Sequence, residues 1–163
     1  MIRRLAPLFA ALIAAGVLAT TQLRSTPVEA ARSAPSFALE DCHGKPVTLD
    51  QYAGKPLVLN FWATWCGPCQ VEIPALSSYA RENPDVAVVG VAVDSGPSEH
   101  MPQLRTQLDI DYEIYAADNA IISAYGVRGL PTTVVIGSDG AVSATHTGPI
   151  TEAELARLVE RAK

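Results

Sequence analysis

The sequence predicts an α/β fold with a central mixed sheet flanked by helices, and three observations support that prediction. Residues 56–63 and 86–93 are short, nearly continuous apolar runs, which is the pattern of strands covered on both faces. Residues 70–80 lie between them and have apolar side chains at helical spacing. The 163 residues suit one domain, and an apolar fraction of 48% is sufficient for its core.

The remaining elements are a small N-terminal hairpin, two helices, a second hairpin and a closing helix. Ser98 is expected to cap the first of these helices, with Pro102 among the early positions whose N–H groups have no intrahelical partner. Ser138-Asp139-Gly140 is a hairpin turn signal. The expected elements cover residues 37–40 with 47–49, Ser98 to about Leu108, 118–125, 132–136 with 141–145, and the stretch after the capping box Thr151-x-x-Glu154.

The chemistry is expected at Trp65-Cys66-Gly67-Pro68-Cys69, where the chain passes from a strand into a helix. Unpaired backbone N–H groups and the positive end of the helix dipole stabilise a thiolate at that position. They can lower a cysteine pKa from about 8.5 to between roughly 3.5 and 7.5. Cys69 lies one turn deeper, so it is expected to be less exposed and close enough to form a disulfide with Cys66.

A metal site is the main alternative for a Cys-x-x-Cys pair. Zinc needs four ligands, but Cys42 is the only other cysteine and has no neighbouring pair. The three histidines, His43, His100 and His146, stand at no finger-like spacing. His100-Met101 is a weak copper signal. No metal and no other cofactor is therefore expected, and Cys42 is interpreted as a small buried or turn residue.

These residues resemble a known family. Residues 61–69 resemble the active-site segment of thioredoxins, and residues 129–133 resemble that fold's cis-proline loop. The closer resemblance is to the exported thiol–disulfide reductases of the TlpA and ResA kind, because of Glu72-Ile73-Pro74, the opening residues 37–49 and Gly54-Lys55-Pro56. The resemblance covers roughly residues 35–163. It implies a thioredoxin-like fold with an N-terminal hairpin addition.

The resemblance also implies roles for individual residues. Cys66 would be the nucleophile and Cys69 the resolving cysteine, while Leu130 and Pro131, the latter cis, would bind the substrate chain. Thioredoxin has a buried aspartate six residues before its first cysteine, where this chain has Asn60. An asparagine cannot accept a proton near neutral pH. Glu72 is three residues after Cys69 on the same helical face, so it is the expected proton acceptor, although an ordinary solvated glutamate is the alternative.

Several functions remain open. A reductase of disulfides in exported proteins, for example apocytochrome c or copper-site cysteines, is favoured because Gly67-Pro68 is thioredoxin's own dipeptide. Trp65 is expected to shield the sulfurs or to contact partners. The alternatives are a disulfide oxidant or isomerase, and a copper-binding chaperone.

The amino terminus reads as an export signal. Arg3 and Arg4 precede an apolar stretch, so residues 1–23 are predicted to be a signal peptide or a membrane anchor, residues 24–35 a tether and residues 36–163 the domain. The domain is expected in the periplasm or otherwise outside the cytoplasm, as a monomer, with a membrane electron donor. The net charge of −5 becomes −7 once residues 1–30, with three arginines and one glutamate, are set aside, which disfavours nucleic acid as a partner.

Overall fold

The computed structural model describes residues 33–163, so the signal or anchor expected at residues 1–23 and most of the tether expected at 24–35 lie outside the described residues. In chain order the elements are β1 (Ala38–Glu40), β2 (Pro46–Thr48), β3 (Leu57–Trp62), α1 (Gly67–Glu82), β4 (Ala87–Ala92), α2 (Met101–Gln107), β5 (Glu113–Ala116), α3 (Asn119–Ala124), β6 (Thr132–Ile136), β7 (Val142–Thr147) and α4 (Glu152–Glu160). From β3 to β6 the strands alternate with α-helices, and a hairpin stands before and another after this part.

Five strands form one mixed sheet in the order β5-β4-β3-β6-β7. β4 is parallel to both β3 and β5, whereas β6 is antiparallel to β3 and β7 is antiparallel to β6. β1 and β2 form a separate antiparallel hairpin. The predicted fold class, including the N-terminal hairpin, is therefore confirmed. Because β6 runs antiparallel to β3, the loop that leads into β6 lies beside the carboxyl end of β3.

The sheet is covered on both faces, and this explains the apolar run in β3, where all six residues are buried. On one face, α1 and α4 pack over the sheet through Leu76, Leu155 and Val159. On the other face, the β1–β2 hairpin and α3 cover a second apolar layer that includes Phe61 and Ile121. Both faces of β3 are dry, so its one carboxamide side chain, Asn60, must find hydrogen-bond partners inside the protein.

The expected cap at Ser98 is wrong. Residues Ser98–His100 form a single 3₁₀ turn preceded by Pro97, and the α-helix begins only at Met101. In a helix capped at Ser98, the first i→i−4 bond would come from the N–H of residue 102, and Pro102 has no N–H group. The turn closes instead by the shorter bond from His100 N to Pro97 O at 3.0 Å. Regular α-helical bonding therefore starts three residues later than expected.

Strand β5 was not among the elements expected from the sequence, because its four residues, Glu-Ile-Tyr-Ala, are too few to show a clear period. It lies at the edge of the sheet and pairs only with β4.

The closing helix has the predicted capping box, with Thr151 and Glu154 bonded in both directions. No helix within residues 33–163 is long and apolar enough to cross a membrane.

Candidate active site

The two cysteines occupy the junction between β3 and α1, as the sequence predicts. Cys66 is the N-cap residue of α1 and is joined to Cys69 by a disulfide, with their Cα atoms 5.3 Å apart. The backbone N–H of Cys69 donates to Cys66 Sγ at 3.2 Å. Cys66 retains 6% of its surface and Cys69 retains none. Partners can therefore reach only the first sulfur, and the helix amide is already directed at it.

Polar contacts fix the loop that leads into the dithiol. The N–H of Thr64 donates to Ser95 Oγ at 3.0 Å, and that hydroxyl donates in turn to Val93 O at 2.9 Å. On the other side, Gln70 Nε2 donates to Thr64 O at 2.7 Å. These bonds tie the loop both to the end of β4 and to the first turn of α1. Trp65 lies in this loop and remains 66% exposed beside Cys66.

Glu72 is buried on the face of α1 that packs against the sheet, and only 2% of it is exposed. Its Oε1 accepts a hydrogen bond from Asn60 Nδ2 at 2.8 Å, and its Oε2 accepts one from the backbone N–H of Ile150 at 2.9 Å. Asn60 Nδ2 also approaches Thr133 Oγ1 at 3.2 Å. Asn60, which occupies the position of thioredoxin's aspartate, and Glu72, the expected proton acceptor, are therefore in direct contact.

Burial raises the pKa of the Glu72 carboxyl above its usual range, because the apolar surroundings disfavour the charged form. The hydrogen bonds from Asn60 and Ile150 and the nearby His146 imidazole oppose that shift but do not reverse it. The ordinary solvated glutamate considered as the alternative is therefore excluded for Glu72. A buried carboxyl with a raised pKa is suited to taking up and returning a proton.

Further polar atoms lie near Glu72 without protein partners. Within residues 33–163, Asn60 Oδ1, Trp62 Nε1 and the Tyr112 hydroxyl are buried and form no hydrogen bond. The Trp62 and Tyr112 rings meet at Gly90, where a Cβ atom would lie 2.9 Å from Trp62 Nε1 and 3.1 Å from Tyr112 Cε2. Burial, and to a lesser degree the Glu72 charge, raise the pKa of the Tyr112 phenol. The surroundings of Glu72 thus contain buried polar groups without a hydrogen-bond partner among residues 33–163.

The predicted proline loop faces the dithiol across a cleft. The peptide bond between Leu130 and Pro131 is cis. Thr132 Oγ1 donates to Gly129 O at 2.8 Å within this loop. The cleft has a volume of about 600 Å³, and the residues around it come from both walls: Trp65, Cys66, Gly67, Pro68, Val93, Asp94, Ile122, Val127, Arg128, Gly129 and Leu130.

The other candidates from the sequence lie elsewhere. Cys42 is a free, half-buried cysteine in the turn of the β1–β2 hairpin. Asp41 accepts hydrogen bonds from two backbone N–H groups of this turn, those of His43 and Lys45. His100 and Met101 lie at the start of α2. In the part of the chain that the structure describes, no three His, Cys, Asp or Glu side chains come together as a metal-binding group.

Comparison with known proteins adds to this geometry. The model of the AhpC/TSA family matches residues 30–145. The chain belongs to that family. It is also 36% identical over 121 residues to the thiol-disulfide oxidoreductase ResA of Bacillus subtilis, an alignment that covers 73% of this chain and 68% of the relative. A second ResA, from Halalkalibacterium halodurans, is 35% identical over 137 residues, or 82% of this chain and 77% of that protein.

Solved structures agree with the ResA-like assignment. A thiol:disulfide interchange protein of the thioredoxin family from Chlorobium tepidum superposes with a TM-score of 0.71 at 31% identity, covering 80% of this chain and 95% of that one. A secreted disulfide oxidoreductase of Mycobacterium tuberculosis superposes with a TM-score of 0.66 at 30% identity, covering 76% and 94%. The chain is therefore a ResA-like protein disulfide oxidoreductase with a thioredoxin fold.

Two hydrogen-bonding groups around the buried carboxyl were missed by the sequence analysis. Thr133, whose Oγ1 accepts from Asn60 Nδ2, is the last residue of the predicted proline loop, so its position beside the site could have been expected from that motif. The Ile150 N–H is a backbone group 78 residues from Glu72, and no side-chain pattern indicates it. The charged residues Asp94 and Arg128 were also missed, since isolated surface charges in loops have no sequence signature.

Proposed function

We propose that this ResA-like oxidoreductase works as a reductase of disulfides in exported proteins. The observation that supports this most strongly is the arrangement around the Cys66–Cys69 pair: one reachable sulfur at a helix N-terminus, a buried second sulfur, and a buried carboxyl on the same helix. This arrangement contains an attacking group, a resolving group and a proton acceptor. The substrates proposed are cysteine pairs of exported proteins such as apocytochrome c or a copper-site protein.

The reaction begins with the reduced protein. The Cys69 N–H and the helix dipole stabilise the Cys66 thiolate, which attacks one sulfur of the partner's disulfide. The partner's S–S bond breaks as the new bond to Cys66 forms, and the partner's second sulfur leaves as a thiolate. The product is a mixed disulfide between Cys66 and the partner.

The second step requires Cys69 to lose its proton. Glu72 accepts that proton, and the Cys69 sulfur then attacks the Cys66 sulfur, which closes the disulfide and releases as a thiolate the partner sulfur that was bound to Cys66. Both partner sulfurs are now reduced, and the protein has given up two electrons. Asn60 holds the Glu72 carboxyl by one hydrogen bond and is itself never required to carry a proton. The raised pKa of Glu72 supports this role, because it makes the carboxylate a stronger base toward the Cys69 thiol than an exposed glutamate would be.

The cleft beside Cys66 is proposed to bind the substrate chain. The backbone of Leu130, which precedes the cis Pro131, would pair with an extended segment of the partner. Trp65 is exposed next to the reactive sulfur and would contact the same segment. Gly67 and Pro68 begin α1 directly after Cys66 and line the same cleft.

Location and partners remain proposals as well. We propose that residues 1–23 export the domain or anchor it in the membrane, and that a membrane electron donor reduces the disulfide again after each turnover. The Mycobacterium tuberculosis relative is described as secreted, which supports export. A reporter fused after Ala31 should be active only outside the cytoplasm, and activity inside would contradict the export proposal. The domain is proposed to act as a monomer, which sedimentation would test.

The direction of the reaction can be measured as a reduction potential. Thioredoxin, with the same Gly-Pro dipeptide, has a potential of about −270 mV, whereas the oxidant DsbA has one of about −120 mV. We expect the Cys66–Cys69 pair to lie closer to thioredoxin when it is equilibrated with glutathione and with dithiothreitol. A potential above about −180 mV, the level of protein disulfide isomerase, would make this protein an oxidant.

The order of the two cysteines can be tested by trapping. Cys69→Ala should stop at the mixed disulfide and retain partner proteins through Cys66. The matched variant Cys66→Ala should retain none, because the Cys69 sulfur has no exposed surface. Both variants are made in a Cys42→Ala background, since Cys42 is free and half-buried and could form adducts of its own. Equal trapping by the two variants would contradict the assigned roles.

A further inference from the structure

The cleft beside the dithiol has charges of opposite sign at its two sides. Asp94 lies just beyond the end of β4, and Arg128 lies in the loop that leads into β6. β4 and β6 border β3 on opposite sides, so the two charges flank the edge of the sheet from which the Cys66 loop begins. Both side chains are exposed, and neither forms an ion pair with another residue in 33–163.

Between these charges the cleft is largely apolar. Trp65 lies beside Cys66, and Ile122, Val127 and Leu130 line the opposite wall. Arg128 directly follows Val127 and lies two residues before Leu130, whose backbone is proposed to pair with the substrate. The domain as a whole is acidic, since residues 31–163 have a net charge of −7. The unpaired Arg128 guanidinium therefore attracts acidic groups of a partner to the cleft, whereas the net negative charge of the domain repels them elsewhere.

We propose that this cleft selects disulfide-containing segments that have an acidic side chain within two residues of the target cysteine, with Arg128 binding the carboxylate. The proposal rests on the proposed function, because it names the class of substrate for the same site. An extended chain advances about 3.3 Å per residue, so a side chain one or two positions from the cysteine lies roughly 3–7 Å from it along the chain, in the cleft that Cys66 and Arg128 both line. Asp94 disfavours a second acidic residue on the other side of the cysteine.

The expected effect is modest. An exposed ion pair changes an equilibrium or a rate by a factor of up to about five. A peptide with glutamate beside its cysteine should therefore react about two- to fivefold faster, in kcat/KM, than the same peptide with glutamine. Salt should weaken this preference, because the Debye length falls from about 10 Å at 0.1 M to about 3 Å at 1 M.

The test uses short peptides with blocked ends, each linked to an identical copy by one disulfide. Glutamate, glutamine or lysine stands immediately before or immediately after the cysteine. The pre-reduced full-length protein is mixed with each peptide disulfide, and the second-order rate constant is measured by chromatography. The oxidised protein is mixed with the corresponding peptide thiols in parallel. The ratio of the glutamate rate to the glutamine rate is the quantity compared between proteins, so a change in Cys66 reactivity cancels.

Arg128→Gln should bring the glutamate-to-glutamine ratio to about one, Arg128→Glu should invert it, and Arg128→Lys should retain it. Asp94→Asn is the matched variant on the other side, and it should reduce the preference against a second acidic residue while leaving the Arg128-dependent ratio in place. A ratio of one in the parent protein, or an unchanged ratio in Arg128→Gln, would overturn the proposal.

The outcome separates this inference from the proposed direction of the reaction. If the domain oxidises the peptide thiols but does not reduce the disulfides, the reductase proposal fails, while the charge ratio still decides the substrate preference. If it reduces every peptide equally, only the charge proposal fails. If it reacts with no peptide in either direction, both are refuted.

Discussion

Replacing Glu72 by glutamine should preserve the fold while removing the proton acceptor. The carboxyl accepts one hydrogen bond from the Ile150 N–H and one from Asn60 Nδ2. In Glu72→Gln the new amide oxygen can still accept from Ile150, and the new NH₂ group faces Asn60. Asn60 Oδ1 has no partner among residues 33–163, so a rotation of the Asn60 amide presents an acceptor to that NH₂ group. Both hydrogen bonds are then kept.

The stability of this variant should differ from the parent in a pH-dependent way. An exposed glutamate of the unfolded chain has a pKa of 4.5, and burial raises the pKa of Glu72 in the folded protein. The stability associated with the neutral carboxyl is therefore complete below pH 4.5 and is lost as the pH rises through the folded pKa. Glutamine does not titrate. Between these two pKa values the free energy of unfolding of the parent falls, whereas that of the variant does not. The variant should therefore become more stable relative to the parent, by about 1.4 kcal/mol for each tenfold difference between the folded and unfolded ionisation constants.

The activity of Glu72→Gln should fall at the resolving step. The variant should still form the mixed disulfide through Cys66, but Cys69 has lost its proton acceptor. General base catalysis usually contributes about 10²–10⁴-fold, which corresponds to about 3–5 kcal/mol in the barrier. Rapid quenching with acid, followed by mass measurement, gives the lifetime of the mixed disulfide. Glu82→Gln is the matched control, because Glu82 is an exposed carboxylate at the end of the same helix.

Two results would refute this reasoning. The first is release of the mixed disulfide at the parent rate between about pH 6 and 9, which would leave Glu72 without a role in the chemistry. The second is a difference in unfolding free energy between parent and variant that stays constant from about pH 4 to 8. That result would mean that the buried carboxyl has the same pKa in the folded and unfolded states.

Two further predictions concern the core. Tyr112→Phe should leave the unfolding free energy unchanged or raise it, because the buried hydroxyl has no partner among the described residues. Tyr125→Phe should instead lower the unfolding free energy by about 0.5–1.5 kcal/mol, because the Tyr125 hydroxyl donates to a backbone carbonyl at 2.7 Å. Gly90→Ala should cost about 1–3 kcal/mol, since the added Cβ would lie 2.8 Å from Ile114 Cγ2 and 2.9 Å from Trp62 Nε1. Guanidinium unfolding of the oxidised proteins measures all three, and a stable Gly90→Ala variant or equal costs for the two tyrosines would contradict these accounts.

The parts of the fold that the sequence predicted best are those fixed by local chemistry. The apolar run of β3 and the helical spacing of α1 place the dithiol at a strand–helix junction, because both patterns are properties of consecutive residues. The capping box of Thr151 and Glu154 is equally local, and it forms as expected. The error at Ser98 concerns the same kind of information: one missing N–H group at Pro102 moved the helix start by three residues.

The strand β5 shows what local chemistry leaves open. Its residues Glu113 to Ala116 alternate weakly and are only four in number. They are extended because Ile114 pairs with Gly90 of β4, a residue 24 positions earlier that has no side chain to fill the space. The Trp62 and Tyr112 side chains also occupy the space that a side chain at Gly90 would need. A strand whose existence depends on space made by another strand cannot be recognised from its own residues.

In the candidate site, too, local sequence determines some features and distant residues determine others. Spacing on one helix relates Cys69 to Glu72, and the asparagine at position 60 indicates that a base must come from elsewhere, so the identity of the buried carboxyl could be inferred. The protonation state of Glu72 could not be inferred from the sequence. The pKa of Glu72 depends on burial under the sheet and on the Ile150 N–H, which arrives from the loop after β7. Local sequence therefore specifies which groups meet at this dithiol, while distant backbone decides at which pH the carboxyl can exchange its proton.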